Sequence, residues 1–362
     1  MRFFAAFVFV SMSTSLSVGL HSNKEAISNV LDANSFENEL MSIQFHEWID
    51  TYHKVYTCDH AKVKRFDIWK ENHARIQAHN NQNPKPSYLL GHNEYSDMSL
   101  DEFRAHFKLG KYFHQSPAAP KVVSDPQLAA DVLGYLTELE LPDYTNWIAQ
   151  GGVTPVKNQG QCGSCWAFST TGALEGAKFI HTGELTALSE QNLIDCDHKD
   201  LGCSGGLMDN AFKFDEKGGG LCSEEDYPYE AEVGTCNTKC VDVPGSVVKT
   251  FVDVPPSDER ALLSAIAMQP ISVAIQADQF SFQFYKTGVL DDDDCGKEGE
   301  IDHGVLAVGY GTDLETQTPY WLVKNSWGAT WGDSGYVKIA RNSTNEWGMC
   351  AILKMASFPI VK

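Results

Sequence analysis

The chain has 362 residues, 43% of them hydrophobic, enough apolar material for two domains or for one large domain with an accessory segment. Its formal net charge is −20, and from Leu141 onward 15 Lys and Arg face 31 Asp and Glu, a balance that argues against nucleic acid as a partner. Ten cysteines are many for a reducing compartment and point to an oxidising one.

The first residues agree with that. Met1-Arg2 is a short basic head, Phe3 to Val10 an unbroken apolar run, and Ser17-Val18-Gly19 a stretch of small residues, so residues 1–19 are expected to be a secretory signal cleaved near Gly19. Its apolar core of about 8 to 10 residues falls short of the roughly 20 a membrane span needs. Phe36, Leu40, Phe45, Trp48, Tyr52 and Val55 recur at three- to five-residue steps, the stripe of an amphipathic helix. Arg65, Trp69, Asn72, Ile76 and Asn80 then share one face of a second helix. Ser99-Leu100-Asp101-Glu102 has capping-box form and predicts a short helix through Phe107. Gln115 to Ala130 carries Pro117, Pro120 and Pro126 among small residues, the composition of an extended, protease-accessible linker.

Beyond Leu141 the character of the sequence changes midway. Trp166 to Ala177, Ser189 to Asp195 and Leu207 to Lys217 suit helices. Ile271 to Ile275, His303 to Tyr310, Tyr320 to Lys324 and Gly335 to Ala340 are short strand-like runs punctuated by glycine. The expected fold class is α+β, a helical lobe facing an antiparallel strand lobe across a cleft.

The chemistry-bearing stretch is Gln159 to Ser169, Gln-Gly-Gln-Cys-Gly-Ser-Cys-Trp-Ala-Phe-Ser. Cys165 opens a helix-forming run, where the positive end of the macrodipole favours thiolate over thiol. Cys162 lies in the preceding loop and reads as structural, since a bridge there would pin the approach to the reactive sulfur. The pair also forms a Cys-x-x-Cys, but a redox motif ordinarily follows a strand in a βαβ unit, whereas this one follows a Gln-Gly loop. Cys-Gly-Ser-Cys-Trp resembles a known cysteine-nucleophile signature whose family pairs it with a distant His and Asn. His303 stands 138 residues on in Ile301-Asp302-His303-Gly304, and Asn325 a further 22 on in Lys324-Asn325-Ser326-Trp327-Gly328. A lone histidine is ordinarily a satisfied surface or core group, and position decides against that here. Gln159, six residues before Cys165, could aim its amide at the same oxygen as the Cys165 N–H. A zinc site is disfavoured, since closed Cys/His spacing is not evident.

These residues resemble the papain-like cysteine peptidases. Leu141-Pro142-Asp143-Tyr144-Thr145-Asn146-Trp147-Ile148 and Gly205-Gly206-Leu207-Met208-Asp209 are similar to the mature start and the specificity wall of the cathepsin L group. The resemblance covers residues 141–362 and part of what precedes. It implies a two-lobed catalytic domain, a helical lobe plus an antiparallel β-barrel-like lobe, preceded by a helical inhibitory prosegment over residues 20–140.

Gly91-His92-Asn93-Glu94-Tyr95-Ser96-Asp97 resembles the Gly-x-Asn-x-Phe-x-Asp element of those prosegments, with Tyr95 in place of Phe. Ala61 stands where the family's leading Glu falls, and Trp69 where Phe is common. The family's prosegment packs on the enzyme with its tail running backwards through the cleft, and acid loosens it.

For the site, the resemblance implies Cys165 as nucleophile, His303 as its imidazolium partner, Asn325 as orienter, Gln159 as oxyanion donor and Trp327 as a shield. Asp302 tunes substrate binding and pH response. Gly163, Gly205 and Gly206 lie along the substrate backbone, while Leu207, Met208, Ala274 and Met355 line the main pocket, which takes the residue before the scissile one. With no acid at Met355, bulky apolar residues are expected there.

Setting aside Cys165 and Cys58 leaves eight cysteines, and spacing alone allows 105 pairings. The resemblance implies Cys162 with Cys203, Cys196 with Cys236, and Cys295 with Cys350. Cys222 and Cys240, which flank Tyr227-Pro228-Tyr229, are inferred to pair, the alternative being two free thiols. Relative to the family, the Cys295–His303 interval is longer by two residues, and Asp291 to Asp294 form an acidic run read as a solvated turn, the alternative being a feature that disfavours acidic substrates on the leaving-group side. Asn342-Ser343-Thr344 is a glycosylation sequon. The expected partners are protein and peptide substrates, the chain's own prosegment and cystatin-like inhibitors. A monomer without cofactor or metal is expected, in a lysosome or vacuole or outside the cell.

Overall fold

The structure, a computed structural model, describes residues 33–109 and 125–362. The expected signal over residues 1–19 and most of the linker lie outside the described residues. No described helix is long and apolar enough to cross a membrane.

The chain divides into two units, residues 1–62 and 63–362. In the first, α1 runs over Ala33–Thr51. Phe45 and Trp48 are buried and stack with ring centroids 5.7 Å apart. The expected stripe is narrower than its spacing suggested: Leu40 and Val55 are exposed. The helix stops at Thr51 and His53 takes a positive φ, so Val55 never joins its face.

Helix α2, Asp59–Asn80, buries Trp69, Asn72 and Ile76. Its polar members explain the mixed face. Asn72 Nδ2 donates to the Ser96 and Met98 carbonyls at 3.0 and 2.9 Å. Asn80 exchanges two hydrogen bonds with Leu90, on the short strand β1, Tyr88–Leu90. The Arg65 guanidinium grips Glu102 at 2.6 and 3.1 Å. Glu102 also closes the capping box of α3, Leu100–Phe107, with Ser99. Arg65 therefore has a carboxylate partner although position 61 is Ala, a bidentate pair anchored at a helix N-terminus.

One boundary is corrected. The expected linker, residues 115–130, is not extended throughout, because Pro126–Glu138 form α4. Asp125 accepts from Leu128 N at 3.0 Å, and Pro126 sits in the first turn, where its missing N–H breaks no helical bond. Ala129 and Leu136 are buried, so a proline that suggested a linker starts a packed helix instead.

In the remainder, α5, Cys165–Thr182, is buried along most of its length and crosses the strands. A Cβ at Gly172 would meet Leu306 at 2.7 Å, and one at Gly176 would meet Pro270 at 2.6 Å, so those glycines let helix and sheet approach closely. Helix α6, Glu190–Cys196, is capped by Ser189, and α7 spans Met208–Gly218. The strand half holds β3 (Val248–Asp253), α8 (Glu259–Met268), β4 (Ile271–Ile275), α9 (Phe280–Gln283), β5 (Tyr285–Leu290), β6 (His303–Thr312), β7 (Pro319–Lys324), β8 (Tyr336–Ala340) and β9 (Met355–Val361). With β2, Thr145–Asn146, paired to β6, the described strands run in the order β1-β5-β8-β7-β6-β4-β9-β3. Most pairs are antiparallel, and β5–β8 is parallel. Strand β1, from the expected prosegment, lies on this sheet through its pairing with β5.

All four expected disulfides are present: Cys162–Cys203, Cys196–Cys236, Cys222–Cys240 and Cys295–Cys350. Cys58 and Cys165 are free. The acidic run turns through Cys295 N–Asp292 O, and Asn342 is exposed.

Candidate active site

Cys165 is the first residue of α5, and the Cys162–Cys203 bridge fixes the loop before it. His303 opens β6 opposite Ile275 of β4. Gly304, the next residue, brings its backbone N–H to the side of the Cys165 sulfur, where it favours the thiolate. Asn325 follows β7 directly, its N–H held by the Gly335 carbonyl at 3.0 Å. Its Oδ1 lies 2.7 Å from His303 Nε2 and also accepts from Ser326 N at 2.8 Å. With Nε2 engaged, His303 Nδ1 has no hydrogen-bond partner and is the nitrogen left for a proton from a thiol. Trp327 stacks on the imidazole at 4.6 Å.

Gln159 is fully buried. Its Oε1 accepts from Ser326 Oγ at 2.7 Å, and its Nε2 donates to the Cys162 carbonyl at 2.9 Å. The amide is clamped at both ends with one N–H to spare. Ser326 escaped the sequence reading as a positioning residue, although it stands inside the Lys324–Gly328 motif.

The expectation of a depressed thiol is reversed in this closed form. Burial pushes the Cys165 thiol up to about 11, helped by the Asp302 charge and opposed by the backbone N–H groups of Gly304, Trp166 and Cys165 itself. Burial likewise pushes His303 down to about 4, with the Asn325 hydrogen bond acting the other way. A helix N-terminus offers a partial charge, which does not match complete removal from water.

The expected prosegment packs beside this site. Phe107 stacks on Trp327 at 4.4 Å and Phe103 meets it edge-on at 5.1 Å. Tyr95 OH donates to the Trp327 carbonyl at 3.3 Å, and Lys108 Nζ donates to Cys203 O at 2.9 Å. That carbonyl also accepts the Gly163 N–H at 2.9 Å, so Lys108 sits over the Gly163 stretch.

Of the other expected residues, Met208 and Ala274 are buried in one cluster with Met355 packed against it, and Ala274 pairs with Met355 across β4 and β9. Leu207 is buried at the start of α7. A Cβ on Gly206 would lie 2.5 Å from Trp166, and Gly205 has φ 116°, so the wall beside them needs glycine twice over. Asp302 is buried and accepts from Ala277 N at 2.8 Å. Burial and then the Asp278 charge push its carboxyl well above the ordinary range.

A family model described as papain family cysteine protease matches residues 141–360, and one described as cathepsin propeptide inhibitor domain (I29) matches residues 45–103. Procathepsin L of Rattus norvegicus is 42% identical over 90% of this chain and 93% of its own length. Cysteine protease XCP2 of Arabidopsis thaliana is 44% identical over 87% and 85%. The crystal structure of the ragweed pollen allergen Amb a 11 cysteine protease in its proform superposes with TM-score 0.79 at 35% identity, covering 90% of this chain and 95% of that one. A digestive procathepsin L 3 from Tenebrio molitor larval midgut gives 0.75 at 36% identity, over 88% and 99%.

Proposed function

The chain belongs to the papain family of cysteine proteases and carries that family's propeptide inhibitor domain, and from that premise we propose an endopeptidase zymogen that works through a Cys165–His303 pair. The observation that carries the reading is the His303–Asn325 hydrogen bond beside a free cysteine at a helix start. Once the prosegment leaves, water returns to the cleft, the burial that keeps both groups neutral is relieved, and a thiolate–imidazolium pair forms. The thiolate attacks the peptide carbonyl. His303 gives its proton to the departing amine and then takes one from the water that splits the thioester. Asn325 holds the ring, and Gln159 with the Cys165 N–H receives the oxyanion. Labelling acid-treated protein with an irreversible epoxide and mapping the adduct by mass spectrometry tests this; an adduct at any residue other than Cys165 overturns it.

Met208 and Ala274 lie in one apolar cluster with Met355 packed against it, and on this reading they line the pocket for the residue before the scissile one. Fluorogenic Phe-Arg peptide is therefore expected to be cleaved at least about tenfold faster than Arg-Arg in kcat/KM, since the pocket offers no carboxylate to a buried guanidinium. Equal rates would contradict the assignment.

Release at acid pH is supported by two groups of the prosegment. His92 stacks on Trp69 at 4.4 Å, and its Nε2 lies 2.9 Å from His73 Nδ1. Burial and then the His73 charge push His92 down to about 3, and burial lowers His73 as well. A histidine lowered by folding stabilises the closed form above its unfolded value of 6.5 and loses that contribution as pH falls below it. At pH 5 the loss from His92 alone is up to about 2 kcal/mol. Its neighbours Gly91 and Asn93 hold the prosegment to the Phe284 and Gln283 carbonyls, so loosening here frees that contact. A His92→Met precursor is expected to process with a midpoint about one pH unit lower, read on gels across pH 4 to 7. An unchanged midpoint would remove His92 from the mechanism.

The disulfides and the basic-apolar N-terminus support a secretory route to a lysosome, a vacuole or the outside.

A further inference from the structure

Arg104 of α3 reaches a second anchor, separate from the aromatic contact its helix makes through Phe107. Its Nε lies 3.1 Å from Asp278 Oδ2 and 3.2 Å from the Asp278 carbonyl, so one guanidinium nitrogen is held by two oxygens of a single residue. The carboxylate is fixed in advance from its own side: Gln276 Nε2 and Gln279 Nε2 donate to Oδ1 at 3.0 and 3.3 Å. Asp278 is partly sheltered, its side chain 22% exposed with Arg104 in place. The sequence reading attached no role to it.

Its position relative to the chemistry follows from the register of β4. Ala274, opposite Gly304, belongs to the pocket for the residue before the scissile one, and Ile275 stands opposite His303. The chain then continues past the imidazole to Asp278, where Asp302, the residue before His303, accepts from Ala277 N at 2.8 Å. Asp278 thus lies beyond the His303 level of β4 from Ala274, which on the peptidase reading is the side from which the amine departs. When the prosegment leaves, the carboxylate loses the Arg104 guanidinium and keeps both glutamines.

Building on the peptidase reading above, we propose that Asp278 is a specificity-determining residue that recruits substrates carrying Arg or Lys in the first two positions after the scissile bond, in the place Arg104 occupies in the zymogen. Arg104 is then an internal stand-in for a substrate cation, and Asp278 contributes a charge-assisted hydrogen bond that neutral or acidic peptides do not make.

The test uses mature enzyme whose active sites have been titrated with an irreversible epoxide. Quenched fluorogenic peptides differ only by Arg, Gln or Glu at the first or second position after the cleaved bond. Arg is expected to exceed Gln roughly fivefold in kcat/KM, with Glu lower still, and about 0.5 M salt should compress the ratio, as for a partly exposed ion pair. In Asp278→Asn the Arg-to-Gln ratio should fall to about 1, and in Asp278→Lys the order should invert. Because each ratio is taken within one enzyme preparation, a poorly folding variant does not mimic the result. Equal cleavage of all three peptides by the unsubstituted enzyme, or a ratio that survives in Asp278→Asn, overturns the inference. If the epoxide titrates no site and no peptide is cut, it is the peptidase reading that fails.

Discussion

A Cys165→Ala precursor is expected to fold, to keep its four disulfides, to take no epoxide label, and to lose roughly 10⁴- to 10⁶-fold in peptide hydrolysis, the range seen when a nucleophile is removed from a coupled catalytic unit. Folding should survive because Cys165 bridges nothing and loses only a sulfur from the start of α5. Circular dichroism and a thiol count separate loss of chemistry from loss of fold. The same sulfur yields a second readout in the unsubstituted chain. With its thiol pushed up to about 11 under the prosegment, the precursor should react with thiol reagents at neutral pH far more slowly than the processed enzyme, since the thiolate is the reacting species. Fast labelling of the intact precursor at Cys165 would mean that the closed form does not bury the nucleophile.

That inversion marks the boundary of what the sequence carried. The helix that presents Cys165 was legible because its signal is local: a Gly-Ser approach followed by a helix-forming run. The strands β4, β6, β7 and β8 were legible for the same reason, as short apolar runs between glycines. The position of His303 and Asn325 followed from motif spacing. The direction in which burial pushes the pair did not, because burial is a property of the assembled fold, in which Phe103 and Phe107 pack on Trp327 from more than 200 residues away in the chain. Long-range pairing hid other elements too. Strands β3 and β9 define each other across about a hundred residues, and neither was anticipated alone. Helix α4 was obscured by Pro126, which is as compatible with a first helical turn as with a linker. Arg65 is a further case: Ala61 stands where the family's leading Glu falls, and the carboxylate that Arg65 grips, Glu102, comes from the next helix, where local spacing does not reveal it.

Gln159 is where local clamping and the proposed oxyanion role meet. Gln159→Ala is expected to lower kcat about 100- to 1,000-fold with little change in KM, because a donor aimed at the oxyanion acts only when charge develops there. The substitution has a second consequence: Ser326 Oγ loses its acceptor and the Cys162 carbonyl loses its donor, each a buried polar group left unsatisfied at roughly 1 to 3 kcal/mol. A fall in activity alone therefore does not separate an oxyanion donor from a loop support. Two further variants do. Ser326→Ala removes one end of the clamp and leaves the amide in place, so a purely supporting role predicts that it costs as much as Gln159→Ala, whereas a donor role predicts a much smaller loss. Gln159→Glu keeps shape and the contact with Ser326 but places negative charge where the oxyanion forms, and should be worse than Ala in kcat at neutral pH. If Ser326→Ala matches Gln159→Ala and Gln159→Glu is the mildest of the three, the side chain holds the Cys162 loop and the oxyanion is received elsewhere.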